Sequence, residues 1–167
     1  MAARIRLARR DDLEAMLAIY AAARAFMART GNPHQWGDDG YPSRELLEED
    51  IALGRSYVME GEDGAVHATF MFTPGPDPTY AVIEQGAWPD DRPYGVIHRI
   101  AGDGTVKGVL AAAVAFCQGR CPALRIDTHH DNTVMQAAIR KCGFTRCGII
   151  HLENGDPRIA YHRPAQV

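Results

Sequence analysis

From Gly95 to Phe144 the sequence sets out a strand, a glycine-rich turn, a helix, a second strand and a second helix in unbroken succession. That order limits the folds open to this chain more than any other feature. Residues 95–101, Gly-Val-Ile-His-Arg-Ile-Ala, read as a strand. Residues 102–108, Gly-Asp-Gly-Thr-Val-Lys-Gly, make a turn that runs straight into an apolar helix over 109–118. A strand follows at 124–128, then Asp131 and Asn132, which can cap a helix over 133–141. Cys142-Gly143 ends that helix with the glycine a left-handed cap requires.

A glycine-rich turn between a strand and a helix suits an anion for a simple reason. The first helical turn has unpaired backbone N–H groups, and glycines let a phosphate come close to them. Lys107 can add a positive charge. The turn has neither the GxxxxGK[ST] spacing of a nucleotide-triphosphate loop nor the GxGxxG order of a dinucleotide fingerprint.

Around this stretch the reading is less dense. Residues 4–8 alternate charged and apolar side chains as an edge strand does. Asp11 or Asp12 caps a helix whose Leu13, Met16, Leu17, Tyr20 and Met27 share a face, and Pro33 bounds its end. A loop at 32–42 carries His34, Gln35, Trp36, Asp38, Asp39 and Tyr41 before a second helix that starts at Ser43. Strands are expected at 56–60 and 66–73, then at 80–85 between two proline-rich breaks, and finally at 145–152 and 158–162 about a hairpin turn. With no internal repeat or linker, residues 1–167 read as a single domain.

Composition excludes more than it identifies. Hydrophobic residues make up 46% and charged residues 23%, and the net charge of -3 carries no basic footprint for nucleic acid. No apolar run approaches membrane-spanning length, and residues 1–10 lack the apolar centre of a secretory signal, so a cytoplasmic protein is expected. Cys117, Cys121, Cys142 and Cys147 match no zinc-ribbon or CxxC spacing and read as small buried hydrophobes. Asp127, His129 and Asp131 alternate at a strand end, where capping and packing are the better reading, and no metal is expected.

The succession above, with Gly143-Phe144 entering a hairpin, resembles the Gcn5-related N-acetyltransferases (GNAT). His98-Arg99-Ile100-Ala101 followed by Val106-Lys107-Gly108 resembles that family's fourth strand and pyrophosphate loop. Asn132 to Phe144 resembles its next segment. The resemblance implies an α/β (α+β) fold: a twisted mixed central sheet of about 6–7 strands, helices on both faces, and strands 4 and 5 splayed apart. It implies acetyl-CoA as co-substrate, with the backbone of Ile100, Ala101 and Gly102 pairing the pantetheine arm. The amides of Val106, Lys107, Gly108, Val109 and Leu110 would hold the pyrophosphate, and Asn132 and Met135 would line the cofactor arm. The chain departs from the family pattern at Thr105 and Leu110 in the loop. It departs again at Ile139, where many members carry a tyrosine as general acid. A homodimer is a family-level expectation.

Acetyl transfer to an amine needs the amine neutral, so a base titrating near neutrality is wanted. His98 is the first candidate, Glu84 the second, and Tyr161 a substitute acid. A thiolate also leaves readily without protonation. The 32–42 loop lies where family members cover the acceptor, so His34, Trp36 and Tyr41 are candidate acceptor contacts; a loop merely anchored by Trp36 is the alternative. The function expected is acetylation of an amine on a small molecule, a peptide or a protein N-terminus. The alternative is an acyl-CoA-binding sensor or interaction module without catalysis.

Overall fold

The computed structural model describes residues 4–36 and 40–165; Asp38 and Asp39 of the 32–42 loop lie outside them. Along the chain run β1 (Arg4–Leu7), α1 (Leu13–Arg29), α2 (Arg44–Ala52), β2 (Ser56–Glu60), β3 (Val66–Pro74), β4 (Gly95–Gly102), α3 (Val109–Gln118), β5 (Leu124–Thr128), α4 (Thr133–Lys141), β6 (Thr145–His151) and β7 (Pro157–Arg163). The strands hydrogen-bond in the order β1-β2-β3-β4-β5-β7-β6, a mixed sheet in which β4 and β5 run parallel. Their pairing is at Gly95–Leu124 and Val96–Arg125. Ile97 and His98, the next residues of β4, pair with nothing on β5 among the described residues, which is the expected parting of these strands.

Two compact units divide the chain: Met1–Phe72 with Arg99–Ala113, and Thr73–His98 with Val114–Val167. In the first, β1 and β2 pair antiparallel, as do β2 and β3 with a bulge at Met59/Glu60. Helix α1 buries Leu13, Met16, Ile19, Tyr20 and Ala23, at the i, i+3, i+4, i+7 spacing of one helical face. Leu17 and Met27, expected on that face, are only partly buried against it. Ala8, Trp36, Leu47 of α2, Val58 of β2 and Ala101 of β4 belong to the same core. Asp12 makes no side-chain cap; its carboxylate instead takes two hydrogen bonds from Arg6 and one from the Arg9 N–H. Ser43 does cap α2, accepting the Leu46 N–H at 3.2 Å.

In the second unit β5, β7 and β6 pair antiparallel, and Tyr80, Val96, Ile150 and Ala160 form one buried apolar cluster. The strand expected at 80–85 is absent. Asp77 caps a short 3-10 turn at Pro78–Tyr80, accepting both the N–H and the hydroxyl of Thr79. Proline just inside the turn and an acid at its cap favour that geometry over an extended one. Only Glu84 keeps strand-like contact, through a two-bond bridge with Ile149. Glycines at 86 and 148 permit it: a Cβ on Gly86 would strike the Cys147 carbonyl, and one on Gly148 would strike the Glu84 carbonyl.

Candidate active site

The glycine-rich turn is built as an open backbone cradle. Gly104 (φ 90°) and Gly108 (φ 66°) take left-handed conformations, and nothing lies within 4 Å of where a side chain would start at either. The first bond inside α3 runs from the Ala112 N–H to the Gly108 carbonyl at 2.9 Å. The amides just before it therefore have no intrahelical partner. Leu110 is buried, while Lys107 is exposed.

A histidine fixes the root of this turn. His67 on β3 sets Nδ1 2.7 Å from Asp103 Oδ2 and Nε2 2.9 Å from Asp63 Oδ2. Asp103 also accepts the Thr105 N–H at 2.9 Å, and its own N–H donates to the His67 carbonyl. The hydrogen bond to Asp103, then that to Asp63, raises the His67 pKa above its ordinary value. Sequence reasoning passed over this residue, since a histidine alternating on a strand gives no local sign of partners 4 and 36 residues away.

His98 lies among two carboxylates and a phenol. Its Nε2 is 2.7 Å from Asp77 Oδ2, and its Nδ1 is 3.8 Å from Asp127 Oδ2. Tyr80 donates its hydroxyl to that same Asp127 oxygen at 2.7 Å and sets its ring edge-on to the imidazole, with centroids 5.9 Å apart. Burial pushes the Asp77 carboxyl up, but the hydrogen bonds from His98 and Thr79 pull harder and hold it down at about 2. Burial, then the Asp127 carboxylate, drives the Tyr80 hydroxyl well above the ordinary phenol value, so it remains a donor.

These facts fix the imidazole's tautomer. An ionised Asp77 can only accept, so in the neutral ring Nε2 carries the hydrogen and Nδ1 carries the lone pair. A carboxylate that orients an imidazole and leaves its other nitrogen open is the arrangement a histidine base needs.

Arg125 steadies the segment that supplies Asp77 and Tyr80. Its guanidinium lies 4.1 Å from the Trp88 ring centroid and 4.0 Å from that of Tyr94, and it donates to the Asp90 carbonyl and to His162 Nδ1. Trp88 in turn donates to the Tyr80 carbonyl, and Tyr94 accepts the Asp77 N–H. None of Asp77, Tyr80 and Arg125 was singled out from sequence. The only local sign was an acid at Asp77 heading a Pro-Thr pair, which reads as a cap.

The other candidates are dispersed. Arg99 donates to Asp50 and to the Tyr41 hydroxyl. Trp36 is buried against Tyr20 and Tyr41, the anchoring alternative, and His34 is exposed. The Glu84 side chain is exposed. Tyr161 is buried on β7 opposite Ile126. Ile139 is 0% exposed, so the position at which the resemblance would place a tyrosine acid holds a core side chain. Asn132 caps α4 by accepting the Met135 N–H, and Met135 is half-buried. His129, His130 and Asp131 bring potential ligand atoms within 4.8 Å of one another, though His129 Nδ1 already accepts the Asp131 N–H. Among the described residues, no helix is long and apolar enough to cross a membrane.

No protein-family model matches the sequence, and no curated protein matches it. Solved structures do. An acetyltransferase of the GNAT family from Streptococcus agalactiae is 31% identical, with a TM-score of 0.89 over 99% of this chain and 96% of its own. A GNAT-family acetyltransferase from Listeria monocytogenes, 19% identical, matches with a TM-score of 0.68 over 96% of this chain and 94% of its own. A GNAT superfamily phosphinothricin acetyltransferase from Sinorhizobium meliloti, solved in complex with AcCoA, is 17% identical, with a TM-score of 0.66 over 99% of this chain and 89% of its own.

Proposed function

We propose that this chain, which belongs to the GNAT family of acetyltransferases, moves an acetyl group from acetyl-CoA to an amine, with His98 as general base and Asp77 orienting it. The observation that carries the reading is the 2.7 Å contact of His98 Nε2 with Asp77, which leaves Nδ1 as the basic atom. His98 also stands two residues before Ile100 on β4, and the family resemblance would give the backbone of Ile100, Ala101 and Gly102 to the pantetheine arm.

The turn at 103–108 fits a diphosphate. Its glycines are open on the side where a Cβ would stand, and the amides opening α3 lack intrahelical partners. Val106 to Leu110 would hold the pyrophosphate through these amides, and Lys107, exposed beside them, would add charge. Leu110 is compatible with this role because its side chain is buried in the protein. Acetyl-CoA, when bound, supplies the thioester: the amine nitrogen's electron pair bonds to the acetyl carbon as the carbon–sulfur bond breaks, and sulfur leaves as the thiolate. His98 Nδ1 takes one proton from the ammonium form of the acceptor before attack, and the second nitrogen proton goes to thiolate or water afterwards. With Ile139 in the core, departure relies on the thiolate's own low basicity. The acceptor is an amine of a small molecule, a peptide or a protein N-terminus.

The test pairs thermal stabilisation by acetyl-CoA with amine-dependent release of CoA across an amine panel. His98→Ala is expected to retain the stabilisation and lose about 10²–10⁴ in kcat. An absent stabilisation at millimolar acetyl-CoA defeats the reading. The buried Ile139 favours a second one, an acyl-CoA sensor without transfer. Stabilisation without turnover on any amine, indifferent to His98→Ala, selects it.

A further inference from the structure

His98 Nδ1 and Asp127 Oδ2 face each other at 3.8 Å. With Nε2–H directed to Asp77, Nδ1 is an acceptor in the neutral ring, and Asp127 Oδ2 is one as well, since it already takes the Tyr80 hydrogen. Two acceptors make no hydrogen bond with each other, and among the described residues no donor reaches His98 Nδ1. Asp127 and His98 are both mostly buried, with side-chain exposures of 9% and 22%. A carboxylate oxygen and an imidazole lone pair that face each other offer two acceptors to a guest with at least two hydrogens, one for each.

From this we infer that Asp127 anchors the ammonium group of the acceptor, which donates one hydrogen to Asp127 Oδ2 and a second to His98 Nδ1. The inference rests on the assignment of His98 as base and adds a specificity-determining residue to it. The hydrogen given to Asp127 stays on nitrogen, and the one given to Nδ1 is the proton that His98 removes. A hydroxyl has a single hydrogen and leaves one of the two acceptors unmet, so the pair discriminates ammonium-bearing acceptors from their alcohol counterparts. Tyr80 is a positioning residue: its hydroxyl holds the Asp127 oxygen that faces the imidazole, and its edge-on ring limits the imidazole's movement.

Methylammonium is the smallest probe that carries the required group, and the side-chain ¹⁵N signals of His98 report on it without acetyl-CoA or turnover. In the wild type, titration to about 100 mM methylammonium is expected to shift the His98 Nδ1 signal saturably. Methanol and tetramethylammonium, the first neutral and the second lacking N–H, are expected to leave it in place. Asp127→Asn should weaken the methylammonium effect about tenfold or more, the loss of one charge-assisted hydrogen bond, and Tyr80→Phe by a smaller factor. No shift in the wild type, an equal shift with methanol, or an undiminished effect in Asp127→Asn overturns the anchor. The wild-type arms stand even if a variant fails to fold. Because binding of acetyl-CoA is read separately by thermal shift, failure of the anchor and failure of the transferase reading are distinct results.

Discussion

Tyr20, buried in α1, donates its hydroxyl to the carbonyl oxygen of Arg99 at 2.6 Å, and Arg99 holds the left-handed backbone angle φ 53° in the middle of β4. A long side chain at positive φ is strained, and it persists only where its surroundings fix it. Here the guanidinium is fixed by Asp50 and Tyr41 and the carbonyl by Tyr20. Tyr20→Phe leaves that carbonyl without its donor and is expected to destabilise the protein by about 1–3 kcal/mol in chemical denaturation. Asp50→Ala should be worse, about 3–5 kcal/mol, because it leaves the mostly buried Arg99 guanidinium without its counter-charge and removes the partner of Arg55. Unchanged denaturation midpoints would show that this network holds nothing.

Asp77→Asn changes one atom of the His98 partner and should lower kcat by about 10- to 100-fold, since the amide no longer demands Nε2–H and the lone pair is no longer confined to Nδ1. The wild-type pair also sets acid stability. The Asp77 carboxyl falls from 3.8 unfolded to about 2 folded. Its contribution is therefore complete above about pH 3.8 and disappears as pH falls toward 2. Denaturation followed between pH 5 and pH 2 should be less steeply pH-dependent in Asp77→Asn than in the wild type.

His67 gives the opposite sign. Its pKa is raised first by Asp103 and then by Asp63, so its contribution is complete below the ordinary 6.5 and is lost as pH climbs through the folded value. Because Asp103 roots the glycine-rich turn, acetyl-CoA KM in the wild type should rise over that same window. His67→Gln should show a flatter profile, with KM already raised at pH 6. A KM that climbs equally in both proteins would remove His67 from the turn.

Arg125→Met keeps bulk between Trp88 and Tyr94 but loses the charge and the fork of donors, with an expected cost of about 1–3 kcal/mol. Activity should fall as well, because Trp88 and Tyr94 hold the backbone that presents Tyr80 and Asp77. Arg125→Lys should not restore either property, since an ammonium cannot stack between two rings as a planar guanidinium does. Full rescue by lysine would mean that charge alone matters.

What the sequence determined by itself was the series of local elements. The expected bounds of β2, α3, β5 and α4 coincide with the structure, because apolar periodicity, an Asn132 cap and a Gly143 stop act over a few residues and are written where they act. The same local reading marked out the glycine-rich turn and chose His98 as the candidate base. It failed at 80–85, where β-favouring residues follow a proline-rich cap that turns the chain instead. Tertiary structure alone decided what His98 can do. Asp77 is 21 residues from it and Tyr80 is 47 from Asp127, so neither hydrogen bond leaves a periodic trace in sequence. Which nitrogen of the imidazole is basic, and which carboxylate faces it, depends on ångström-scale separations that exist only once Arg125, Trp88 and Tyr94 have fastened the 77–94 segment in place.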